Sequence, residues 1–67
     1  MEQKKLKDLK NGEWFTLKPI EEPAPAQVWI RGDYDRTEKK YDAQNWNDMN
    51  RYRSLKGTTT VYTGFTF

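Results

Sequence analysis

Gln27-Val28-Trp29-Ile30-Arg31-Gly32-Asp33-Tyr34-Asp35, then Arg36-Thr37-Glu38-Lys39, then Lys40-Tyr41-Asp42-Ala43-Gln44, reads as a β-hairpin closed by a four-residue loop. Val28, Ile30 and Tyr34 alternate with Trp29, Arg31 and Asp33, the period-two pattern of a strand with one face on a core. Pairing Tyr34 with Tyr41 sets Gly32 opposite Ala43 and Ile30 opposite Asn45 on the core side. The outer side then joins Asp35 with Lys40, Arg31 with Gln44 and Trp29 with Trp46, all favourable cross-strand neighbours. One pair objects: Asp33 falls opposite Asp42, and facing like charges destabilise a ladder. A carboxylate pair that binds a hard cation or shares a proton is one resolution. A bulge at Gly32 is the favoured one, because glycine inside a strand marks such irregularities.

Working outward, Glu13–Lys18 alternates as well, with Phe15 and Leu17 facing one way and Trp14 and Thr16 the other. Asn11-Gly12 is a turn signal ahead of it, and the Lys-rich segment 1–12 holds Leu6 and Leu9 at the spacing of a short helical turn. Pro19 ends that strand, and the Pro/Ala/Glu segment 19–26 cannot sustain a ladder, so it reads as an exposed loop. Asn45–Asn50 is rich in turn formers and reads as a loop or one 3₁₀ turn around Trp46, which would plug one end of the core. Residues 51–56 form a weaker strand, and Gly57 turns the chain into Thr58–Phe67, its most β-prone segment. The expectation is a single all-β domain over residues 1–67. It would be a small SH3-like barrel of about five antiparallel strands, with at most a short helical or 3₁₀ turn. Phe15, Val28, Ile30, Tyr34, Tyr41, Val61 and Phe65 form its expected core.

Ten of the 67 residues are aromatic, against eight Leu, Ile and Val, so rings must supply much of that core. A domain this small buries only about 60% of its unfolded surface. With neither cysteine nor histidine in the chain, disulfides and the usual zinc sites are excluded as staples. The same absence removes the commonest general base and the thiol nucleophile. The carboxylates form no catalytic spacing, and so few residues leave little room for a closed pocket. No enzyme, catalytic residue, metal or cofactor is expected. An enzyme built on Asp33 and Asp42 is a minor alternative that needs the two carboxylates close together. The apolar runs are too short for a membrane span and the charged start lacks a leader's apolar stretch, so a cytoplasmic protein is expected.

The formal charge is +2, unevenly spread: residues 1–12 carry +2, residues 13–38 carry −3 and residues 39–56 carry +3. That balance falls short of a dedicated DNA binder's basic footprint. Alternation nevertheless turns Trp14, Trp29 and Tyr62 away from the expected core, with Tyr52 a fourth candidate ring and Arg31, Lys40, Arg51 and Arg53 beside them. Rings stack on bases while cations track phosphates, which is how small barrels hold single strands. The plainer reading is a minor cluster in which loop 19–26 covers Trp14 and Trp29. Arg31-Gly32-Asp33 spells an integrin-read tripeptide, but within a strand it is better taken as coincidence. The acidic run Glu21-Glu22 and the lysines Lys4, Lys5, Lys7 and Lys10 read first as solvated charge.

Asp8-Leu9-Lys10-Asn11-Gly12-Glu13-Trp14-Phe15, Val28–Arg36 and Leu55-Lys56-Gly57 before a Val- and Phe-bearing terminal strand span most of the chain. This order resembles short uncharacterised proteins of phages and mobile elements of gut bacteria. The resemblance implies an accessory or host-interaction role and no particular binding residue. The expected function is a non-enzymatic binding module. Its first-choice ligand is single-stranded nucleic acid held by Trp14, Trp29, Arg31, Lys40, Arg51, Arg53 and Tyr62. The alternative is a protein-interaction or assembly module that takes another protein, or a second copy of itself, through an exposed strand edge, above all the C-terminal strand, or through the same aromatics.

Overall fold

The computed structural model describes residues 2–65. The chain is all-β, as the alternation predicts. Among the described residues it has six strands: β1 (Glu2–Lys5), β2 (Trp14–Phe15), β3 (Trp29–Asp35), β4 (Lys40–Asn45), β5 (Tyr52–Lys56) and β6 (Thr60–Thr63). They form a two-stranded sheet, β1-β6, and a four-stranded sheet, β2-β3-β4-β5, with every pairing antiparallel. Thr16 and Tyr62 join the sheets, exchanging backbone N–H···O bonds of 3.0 Å in both directions. On the other side the Leu6 and Lys7 amides donate to the carbonyls of Thr59 and Gly57, tying the end of β1 to the turn after β5.

Five strands match the expected segments, and β1 is additional. Glu2-Gln3-Lys4-Lys5 has no apolar alternation. It is ordered by backbone pairing to Thr60–Thr63, and its charges suit a strand paired on one side only. The helical turn expected in this region follows β1 as a 3₁₀ helix over Leu6–Asp8 that buries Leu6 and Leu9. A second 3₁₀ helix, Pro25–Gln27, interrupts the expected loop, with proline at its first position where the missing N–H costs nothing. Residues 46–50 form turns without a helix. The last two residues of the expected C-terminal strand lie outside the described residues.

The hairpin contains the bulge. Tyr34 pairs with Tyr41 and Asp35 with Lys40, but Arg31 then pairs with Ala43, Ile30 with Gln44 and Trp29 with Asn45. Gly32 and Asp33 together oppose Asp42. A Cβ at Gly32 would lie 3.2 Å from the Asp42 Cβ and 3.3 Å from its carbonyl oxygen, so the bulge needs its smallest residue here. Asp33 is directed instead at Asn11, whose Nδ2 donates to its Oδ1 at 2.6 Å. Asp35 Oδ1 accepts from the Thr37 and Glu38 amides, and Lys39 adopts φ 57° to complete the four-residue loop.

A one-residue slip moves every side chain beyond it to the opposite face. Trp29 therefore turns inward and is only 6% exposed, joining Leu6, Leu9, Phe15, Ala43 and Val61 in the core. Ile30, expected inside, is half-buried on the outer face. Tyr34 keeps its expected partner yet is 45% exposed, because the core ends before the hairpin tip. Trp46 is no plug, being 41% exposed on the outer face. The inner end belongs to Asn45: its Nδ2 donates to the Ala26 carbonyl, and its Oδ1 accepts from the Asn47 and Asp48 amides.

Candidate functional site

Directly opposed residues share a face, so the register of the four-stranded sheet fixes its two surfaces. On the outer surface Trp14, Ile30, Gln44 and Tyr52 form one row across all four strands. Trp46 stacks on Trp14, ring centroids 5.7 Å apart and planes inclined by 22°. Trp14 and Tyr52 are exposed, as is Met49 in the loop before β5. Gln44 fixes that loop by donating from Nε2 to the Met49 carbonyl at 2.9 Å. This row holds no formal charge. The next row toward the hairpin tip is Asp42 and Ser54, and the one beyond it is Asp35, Lys40 and Lys56.

The inner surface carries rows of Phe15, Trp29 and Asn45, of Arg31, Ala43 and Arg53, and of Tyr34, Tyr41 and Leu55. Arg51 and Arg53 hold their guanidinium carbons 5.8 and 5.7 Å from the Trp29 ring centroid, at cation–π range. Arg31 lies 4.4 Å over the Tyr41 ring and donates from Nη1 to the Gly32 carbonyl. Its Nε is buried without a hydrogen-bond partner.

The seven residues expected to form one site are thus divided. Trp29, Arg51 and Arg53 come together, but as a buried ring capped by two cations, and Trp29 presents no surface for stacking. Arg31 packs nearby on Tyr41. Trp14 lies on the outer face, and Lys40 lies there at the hairpin end, between Asp35 and Lys56. Tyr62 is half-buried in the other sheet, opposite Gln3 and bridged to Thr16. Both sides of β6 are engaged at Tyr62, so this residue is not part of an open edge. The exposed rings of the outer face are instead Trp14, Trp46 and Tyr52. The bulge was the signal for this arrangement, since reading the register through it places Gln44, Ile30 and Tyr52 beside Trp14.

Among the described residues no group of three or more acidic, His or Cys side chains is gathered as a metal site. Nor, among them, is any helix long and apolar enough to cross a membrane. Comparison with known proteins found no matching family model, curated protein or solved structure.

Proposed function

We propose that the chain is a non-enzymatic binding module that takes a protein partner on the outer face of its four-stranded sheet. The observation that carries this reading is the stacked, exposed Trp14–Trp46 pair, on the same sheet face as the exposed Tyr52. Aromatic residues and methionine are enriched in interface cores while Lys, Asp and Glu are depleted, and Trp and Tyr are common anchors. Lys40 is four residues along β4 from Gln44, about 13 Å at strand rise. That exceeds the physiological Debye length of about 8 Å, and Asp42 lies between, so phosphate attraction at the rings is weak.

Nucleic acid is the second reading, favoured by Arg51 and Arg53, which are exposed on both sides of Tyr52 in sequence. The Thr16–Tyr62 junction supports taking the two sheets as halves of an SH3-like barrel. The resemblance to phage and mobile-element proteins supports an intracellular accessory role.

Panning a displayed peptide library against the wild type, with counter-selection on Trp14→Ala/Tyr52→Ala protein, tests the ligand class. Selected peptides are expected to change tryptophan emission on binding and to lose at least about tenfold in affinity on Trp14→Ala. Tight binding of single-stranded DNA or RNA by this face, with no peptide enriched, would reverse the order of the two readings.

A further inference from the structure

We propose that the groove at the β3–β4 hairpin end is a second site, separate from the tryptophan face, that binds a nucleotide unit. The base would lie on Tyr34, and the phosphate among Lys7, Lys39 and Lys56. The groove has a volume of about 490 Å³, within the range of small-ligand sites, and Tyr34, Tyr41 and Glu38 line it with these lysines.

The three lysines come from separate parts of the chain: the first 3₁₀ helix, the hairpin loop and the end of β5. That they line one groove is therefore a product of the fold rather than of a basic run in sequence. None of them forms an ion pair, and the only salt bridge among the described residues joins Lys4 to Glu2. Lys56 also stands directly opposite Lys40, a like-charge pair that an anion would relieve. Asp35, the carboxylate beside Lys40, already accepts from two loop amides.

The ring floor is held in place. Tyr34 contacts Tyr41 with centroids 4.8 Å apart and planes inclined by 51°. The Arg31 guanidinium lies over the Tyr41 ring, and Gly57 lets that ring approach the backbone. Tyr34 leaves one side to solvent at the groove. An exposed ring beside unpaired ammonium groups is the chemistry that receives a base and its phosphate. Glu38 adds an acceptor suited to the amino edge of guanine, adenine or cytosine. Its negative charge also repels a bare phosphate, which has no base to stack on Tyr34. The same chemistry could come from a free mononucleotide or from one unit of a single strand, and the two differ in how affinity responds to chain length.

The test is an amide chemical-shift titration of the full chain with GMP, UMP, inorganic phosphate and a short single-stranded oligonucleotide. Saturable shifts are expected at Gly57, Thr58 and Lys39, with GMP binding several-fold tighter than UMP and inorganic phosphate weakest. A strand as the source would show at least tenfold tighter binding of the oligonucleotide; a free nucleotide would show none of that gain. Lys56→Glu is expected to weaken GMP at least tenfold, while Lys18→Glu, the same charge change outside the groove, leaves it unchanged. Tyr34→Ala is expected to erase the preference for GMP over inorganic phosphate in a protein whose spectrum remains folded. Absence of groove shifts with every ligand, or equal affinity for GMP and phosphate, overturns the proposal. Because the tryptophan face is probed by peptides and by other residues, its failure and this one are distinguishable.

Discussion

Tyr41 lies flat enough against Gly57 that a Cβ there would sit 2.9 Å from its Cε2 and 3.1 Å from the Lys7 Cβ. The close approach couples the end of β5, the first 3₁₀ helix and the ring that backs Tyr34. Gly57→Ala must therefore push the ring or the helix aside, an overpacking cost of about 1–3 kcal/mol. At about 4–8 °C per kcal/mol for a domain of this size, thermal unfolding followed by circular dichroism should show a clear drop in Tm. An unchanged Tm would mean that the contact is slack.

Asn45 is fully buried and serves three backbone groups, one carbonyl and two amides. Alanine would leave all three without their side-chain partner and hollow a fully buried position, at about 1–3 kcal/mol for each group that water does not reach. A core this small supplies only about 3–5 kcal/mol in total. Asn45→Ala is expected to leave much of the protein unfolded at room temperature, visible as collapsed amide dispersion. Asn45→Asp keeps the acceptor but loses the donor and buries a charge, so it should rescue little. A well-folded Asn45→Ala protein would show that loop 46–50 and Ala26 are held by other contacts.

The hairpin shows how far the sequence could be read. Alternation locates β3 and β4, and Tyr34–Tyr41 and Asp35–Lys40 are pairs that charge and ring complementarity choose unaided. The Asp33–Asp42 conflict marks the bulge, but the direction of the slip depends on distant partners, the Asn11 side chain for the Asp33 carboxylate and the Glu13 carbonyl for the Arg31 amide, 22 and 18 residues away. The errors about the hairpin rings follow from that slip or from where the core ends, and Tyr62 is engaged because β1 and Thr16 pair on its two sides. Trp29 and Ile30 exchange faces at the bulge, and Tyr34 is exposed because no element covers the hairpin tip. β1 was invisible for another reason: its order resides in β6, and four polar residues carry no signal of their own.

The opposite placement of Trp29 and Trp14 can be read optically. Trp29 is 6% exposed, whereas Trp14 and Trp46 are 42% and 41% exposed. Acrylamide should quench most of the native emission, and Trp14→Phe should lower the accessible fraction. Trp29→Phe is expected to leave quenching of the remaining two tryptophans nearly unchanged. Trp29→Ala, by contrast, removes a core ring and should cost about 3–5 kcal/mol, enough to abolish cooperative unfolding. If Trp29→Phe removed the quenchable emission, the register through the bulge would have to be reassigned.

Salt dependence offers an independent measure of the groove, because each phosphate neutralised on a single strand contributes a slope of about −0.7 to log K against log salt. One phosphate held among Lys7, Lys39 and Lys56 predicts a slope of about −0.7 for oligonucleotide binding at this site. Lys56→Glu should make the slope shallower while weakening binding at every salt concentration. Tyr34→Ala should weaken binding without changing the slope, because stacking releases no counterions. Binding by Arg51 and Arg53, beside the Trp29 ring, gives the opposite pattern: Lys56→Glu would leave the slope intact, and Arg53→Ala would reduce it. Measuring both variants by fluorescence anisotropy at several salt concentrations therefore assigns the phosphate contacts to one surface or the other.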